Sequence, residues 1–65
     1  MKILLNAKEK EIQSTTISEL LKELNLKTEG IAVALNYEVI SKKNFDFAEI
    51  KDGDKVDVVK AVQGG

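Results

Sequence analysis

Apolar residues recur along this chain in two rhythms, and the change from one to the other marks its elements. From Lys2 to Asn6 they alternate as in a short strand, with Ile3 and Leu5 on one face. Ala7-Lys8 then supplies a tight connection to a second extended segment around Lys10 to Gln13, which predicts an opening hairpin. The rhythm changes at Thr16-Ile17-Ser18-Glu19, where a threonine N-cap is followed three residues later by a glutamate. In such a pair each side chain can satisfy an orphan amide of the first turn. Ile17, Leu20, Leu21 and Leu24 follow at i, i+3, i+4 and i+7, so they share one face of a helix while Lys22 and Glu23 take the wet side. That face requires a sheet to lie on.

Asn25 and Gly30 bracket the helix exit. Ile31 to Asn36 returns to strand rhythm, with large residues at odd positions and alanines at even ones. Asn36-Tyr37-Glu38 predicts a turn into a brief Val39-Ile40-Ser41 segment. Lys42 to Ile50 is too broken for a long helix and is anchored by Phe45 and Phe47. Asp52-Gly53-Asp54 is a turn signal, because glycine tolerates positive φ and aspartate bonds its own backbone; Lys55 to Val62 follows as the last strand. The expected order is β-β-α-β-β-β, an α+β domain in which one curved mixed sheet of four to five strands grips one main helix. The expected core is Ile3, Leu5, Ile12, Ile17, Leu20, Leu21, Leu24, Val33, Leu35, Ile50, Val56 and Val58.

Composition narrows the function classes. Sixty-five residues allow one domain, read as residues 1–62 with a flexible tail at 63–65. Ten basic and eleven acidic residues are interleaved to a net charge of −1, which argues against nucleic acid as a partner, since that needs a basic face. The longest apolar run, Ile31 to Leu35, falls far short of the ~20 residues that span a bilayer. Met1 to Asn6 does not resemble a signal peptide, so no membrane association and a cytoplasmic location are expected. There is no cysteine and no histidine. A zinc site, a thiol nucleophile and the usual general base of a triad are all missing, so a self-contained enzyme is not expected and neither is a bound metal or cofactor.

The residues left to carry chemistry are at the end. Two consecutive glycines would close roughly 0.5% of chains by chance, at ~7% glycine per position. Without a Cβ, Gly64-Gly65 can thread a narrow cleft, and Gln63 would enter with them. Three residues beyond Val62 reach at most ~10 Å, so a partner must dock on the body of the domain. If Ile3, Leu5, Val33, Leu35, Val56 and Val58 face the helix, then Leu4, Ala32, Ala34 and Val59 fall on the opposite face, which no second helix covers; they form a candidate docking patch. Lys42-Lys43 reads as a solvated pair. Asp52, Asp54 and Asp57 lack the fuller ligand set of a calcium loop and read as turn residues. Phe45 and Phe47 read as core or lid residues, and Tyr37 has no evident partner.

Several of these features together resemble the ThiS family of thiamin-biosynthesis sulfur carriers. They are Met-x-Ile-Leu-x-Asn at Met1 to Asn6, Leu20-Leu21-x-x-Leu24, Ala34-x-Asn36 with Val39-Ile40, Asp52-Gly53-Asp54 and the closing Gly64-Gly65. The likeness spans essentially the whole chain. It departs at Phe45, where a tryptophan is frequent nearby, and at Lys42-Lys43, where an arginine is common. The resemblance implies a ubiquitin-like β-grasp fold and a carrier cycle. An E1-like adenylyltransferase of the ThiF type would activate the Gly65 carboxylate with ATP, a persulfide donor would convert it to a thiocarboxylate, and a thiazole synthase of the ThiG type would take the sulfur. A monomeric protein co-substrate is expected. The small subunit of molybdopterin synthase is a similar alternative, but it usually has a longer chain with Pro-Pro before its Gly-Gly, and this chain has no proline. A ubiquitin-like protein modifier and a non-covalent binding module are the other readings.

Overall fold

The structure, a computed structural model, describes residues 1–60. The expected strand end at Ala61-Val62 and the Gln63-Gly64-Gly65 tail lie outside the described residues. Five strands and one α-helix appear in the expected order: β1 Lys2–Leu5, β2 Lys8–Glu11, α1 Ile17–Glu23, β3 Ile31–Leu35, β4 Glu38–Ile40 and β5 Lys55–Lys60, with a 3-10 turn at Lys42–Asn44 before β5. They form one mixed sheet in the order β2-β1-β5-β3-β4. β5 runs parallel to β1 and antiparallel to β3, and each of these carries its hairpin partner outward.

Both hairpins close through two-residue turns. Leu5 pairs with Lys8 and Leu35 with Glu38, and the intervening residues all have positive φ: Asn6 (49°), Ala7 (69°), Asn36 (51°) and Tyr37 (71°). This is the type I′ geometry, whose twist matches that of the flanking strands. The first turn corrects the expected position of the second strand. β2 begins at Lys8 rather than near Lys10, and all four of its residues are exposed. Its alternating Lys-Glu sequence gives no apolar signal because it is an edge strand, where charge discourages further pairing. Ile12, which suggested a later strand, lies just beyond it and turns into the core, its amide donating to the Met1 carbonyl at 2.8 Å.

The helix entry accounts for the irregular segment. The first helical amides lack partners within the helix, and here each has one from elsewhere. Ile17 N donates to Ala48 O (3.0 Å), Ser18 N to Phe45 O (3.0 Å) and Glu19 N to Thr16 Oγ1 (3.2 Å). Residues 45–48 thus serve as a backbone cap, and Ile50 N joins Thr15 O at 2.8 Å. The Glu19 carboxylate reaches back to Thr15 N (2.9 Å) and Thr15 Oγ1 (3.1 Å), one residue earlier than the expected box geometry. Glu23, exposed as expected, ties down the approach to the helix by accepting from Gln13 N and Ser14 N, each at 3.1 Å, and from the Ser14 hydroxyl. The exit is a Schellman motif with Asn25 at φ 60°: Leu26 N donates to Leu21 O (2.8 Å) and Asn25 N to Lys22 O (3.0 Å).

The core consists of Ile3, Ile12, Ile17, Leu20, Leu21, Val33, Phe45, Ile50 and Val56. Leu5, Leu24, Leu35 and Val58, expected inside, are only half-buried. The seven-residue helix is ~10 Å long and cannot cover both ends of strands approaching ~20 Å. Phe45 completes the core instead, whereas Phe47 is 77% exposed and is neither core nor lid. Residues 44–48 form a tight turn in which Phe47 N and Ala48 N both donate to Asn44 O, so positions two apart do not share a face as they would in a strand. Asp52-Gly53-Asp54 is a turn with Gly53 at φ 87°. Its carboxylates are engaged by backbone: Asp52 Oδ1 accepts from Lys2 N and Asp54 Oδ2 from Lys51 N, both at 2.8 Å.

Two outcomes follow from the local geometry. Ala7→Gly should raise stability by about 1 kcal/mol by relieving the left-handed turn position, as read from urea unfolding. Glu23 has its carboxyl held below the usual 4.5, first by the Ser14 hydroxyl and then by the Gln13 and Ser14 amides. A depressed carboxylate stabilises the fold above its unfolded pKa, and that contribution is lost as pH falls through the folded pKa. Glu23→Gln should therefore lower the urea midpoint at pH 7, and the gap from wild type should narrow below about pH 4.5.

Candidate functional site

The residues expected to dock a partner do share one face. Strand parity turns Leu4, Ala32, Ala34 and Val59 away from the helix, and the register sets Val59 opposite Ala32. Ala32 is exposed, Val59 is 59% exposed, and Leu4 and Ala34 are half-buried. The patch is not continuous. Leu4 lies opposite Lys55 and Ala34 opposite Asp57, so a charged pair on β5 separates Leu4 from the alanines.

Sequence reasoning missed three further members of this face. Val39, opposite Ala34 and 75% exposed, extends the apolar area to the β4 edge. Parity counted across the Asn36-Tyr37 turn would have found it, and parity along β5 would have found Lys55 and Asp57. Tyr37, 76% exposed, does have a partner. Its hydroxyl accepts a hydrogen bond from Lys55 Nζ, which also lies 4.9 Å from the ring centroid. The Tyr37 hydroxyl, and secondarily the Asp57 carboxylate, hold the Lys55 ammonium above the usual lysine range. Leu4, Ala7, Tyr37, Lys55 and Asp57 line a shallow cavity of about 310 Å³ at the start of β5.

The other end of β5 leads toward the Gly-Gly. At Lys60 the strand passes a second cavity, of about 390 Å³, formed with the helix exit at Asn25-Leu26 and with Gly30-Ile31. Five residues separate Lys60 from Gly65, a reach of at most ~18 Å. β5 thus contributes Lys55, Asp57 and Val59 to the face and also leads to the tail. The Lys42-Lys43 pair is exposed on its 3-10 turn, away from both cavities. Among the described residues, no cluster of His, Cys, Asp and Glu could hold a metal ion, and no helix is long and apolar enough to cross a membrane.

A five-stranded mixed sheet around one helix, with its last strand in the middle, defines a ubiquitin-like β-grasp protein. The crystal structure of the thiamine biosynthesis protein ThiS from Geobacter metallireducens superposes over the whole length of both chains, with a TM-score of 0.88 at 32% identity. The ThiS family model matches residues 3–65, so the chain belongs to the ThiS family. It is 34% identical to the sulfur carrier protein ThiS of Thermus thermophilus, covering 94% of this chain and 95% of that protein. It is also 33% identical to part of a thiazole synthase from Paramagnetospirillum magneticum, where all of this chain corresponds to a fifth (20%) of that protein's length.

Proposed function

We propose that this protein is a sulfur carrier in thiamine biosynthesis, acting through the carboxylate of Gly65. The observation that carries this reading is a whole-length match to the ThiS family on a chain with no cysteine or histidine. Such a chain has no thiol to hold sulfur, which leaves the terminal carboxylate as the group suited to it. A carboxylate is a poor electrophile until its oxygen becomes a leaving group. An E1-like partner supplies one: the Gly65 carboxylate attacks the α-phosphorus of ATP, pyrophosphate departs, and an acyl adenylate forms. The terminal sulfur of a persulfide donor then attacks the carbonyl and AMP leaves. A thiol reduces the resulting acyl disulfide and frees the thiocarboxylate. A thiazole synthase is the proposed acceptor, which is supported by the similarity of this chain to a segment of a protein of that name.

In this cycle the outer sheet face is the docking surface and the Gln63-Gly64-Gly65 segment threads the partner's active site. The short reach from Lys60 favours this face, because the partner must hold β5 close to where the chain leaves it.

Incubation with an E1-like partner, ATP and a persulfide source should give the intact-mass increase of one oxygen-to-sulfur exchange, and deletion of Gly65 should abolish it. An increase that persists without Gly65, or conjugates on target lysines in place of the thiocarboxylate, would refute the reading. Val59→Asp places a charge at the β5 end of the apolar area and should leave the thermal midpoint near wild type. It should raise the KM of the activating partner for this protein roughly tenfold, about 1.4 kcal/mol, the scale on which truncating a contributing interface residue acts.

A further inference from the structure

β5 depends on two asparagine side chains as well as on its neighbouring strands. β1 supports β5 only as far as the turn: Leu4 N donates to Asp54 O and Asn6 N to Val56 O, both at 2.9 Å, and there the chain reverses into β2. The next rung on that edge of β5 belongs to Val58, and no backbone is left to fill it. The Asn6 side chain takes the place of the missing backbone. Val58 N donates to Asn6 Oδ1 at 2.8 Å, and Asn6 Nδ2 donates to Val58 O at 3.2 Å. Asn36 makes half of this contact on the other edge and at the other end: Lys55 N donates to its Oδ1 at 2.9 Å, while its backbone N donates to Lys55 O at 2.7 Å and its Nδ2 to Asp54 Oδ1 at 3.2 Å. An amide side chain carries the same donor and acceptor pair as a peptide, so Asn6 lengthens its ladder by a full rung, and Asn36 completes one by supplying the acceptor. Asn36 does so where β5 begins, and Asn6 does so two residues before Lys60.

We propose that Asn6 is a positioning residue for the carrier tail: by holding both polar groups of Val58, it fixes the direction in which β5 leaves the sheet. The proposal rests on the tail function argued above. Without the clamp, the last residues of β5 would be held from the β3 side alone, through Ala32–Val59 and Ile31–Lys60. The strand end could then swing toward the open edge beside β1. Leu4, Ala32, Ala34 and Val39, which β1, β3 and β4 carry, would keep their places in the docking face, but a bound carrier would present its tail in the productive direction for a smaller share of the time.

The test uses Asn6→Gly in the full chain. Glycine suits the positive φ of 49° at this turn position, so the hairpin is kept while the clamp is removed. In hydrogen exchange, the Val58 amide should lose protection while the α1 amides exchange as in wild type. In the loading reaction, kcat should fall about three- to tenfold, the scale of one or two exposed hydrogen bonds, with KM changed less than kcat because the docking residues on β1, β3 and β4 stay in place. Asn6→Asp keeps the acceptor for Val58 N but loses the donor to Val58 O, and should fall between the two. A general loss of folding would instead speed exchange in α1 and raise the apparent KM. Asn6→Gly that is loaded at the wild-type kcat, or that leaves Val58 protected, would overturn the proposal while the carrier reading stands. A wild-type protein that takes up no sulfur would overturn the carrier reading and this inference with it.

Discussion

The two hairpins of this sheet meet nowhere except across β5. β1 with β2 and β3 with β4 are local structures, each closed by a two-residue turn, but neither can share a core with the other until the last strand lies between them. The pairing that achieves this joins Leu4 to Lys55 and Leu5 to Val56, across almost the whole chain, so the entropy of closing that loop falls on one short parallel ladder. Val56 is fully buried where β5 faces the helix, beside Ile3 and Val33. Burial at this point holds the hairpins, the helix and the sheet in one unit, and the strand that provides it also leads to Gly64-Gly65. A strand at the edge of the sheet is held from one side only, whereas β5 has a neighbour on each side over most of its length.

The asparagines show how a domain this small joins its elements without extra backbone. A type I′ turn needs positive φ at both central residues, which asparagine tolerates better than most. Glycine would satisfy the turn more readily but has no side chain to reach β5. Asn6 and Asn36 meet both demands at once, reversing the chain and continuing the ladder. The helix N-terminus is finished by the same economy, since the carbonyls of Phe45 and Ala48 take up the amides that a longer sequence could have capped locally.

What was legible in the sequence divides along physical lines. Residues whose identity is dictated by burial or by backbone angle could be read directly: the Ile17-Leu20-Leu21 face, the large-small alternation of β3, and the Asp-Gly-Asp turn. The hairpin was legible but the bounds of β2 were not, because an exposed edge strand of alternating charge carries no apolar period. Phe45 and Phe47 looked equivalent because their different fates depend on a turn that only tertiary hydrogen bonds define. The apolar face of the candidate site followed from parity, but its interruption by Lys55 and Asp57 required the β1–β5 register, which links residues 51 positions apart.

Tyr37 is the least economical residue of the fold. Its φ of 71° is a conformation in which an L side chain costs roughly 1–2 kcal/mol relative to glycine. Among the described residues its side chain engages the Lys55 ammonium, through an exposed hydrogen bond to the hydroxyl and an exposed cation–π contact that returns about 0.5–1 kcal/mol. These contacts roughly offset the strain, so folding alone gives tyrosine no clear advantage over glycine there. Ala7, at the corresponding position of the other turn, has the same strain with still less to offset it, and both residues border the cavity at the start of β5. Strain that the fold does not require concentrates where a surface is used. The phenol and the ammonium it orients stand on the same outward face as Val39 and Val59, so the proposed docking role of that face would give the conformational cost of Tyr37 a use.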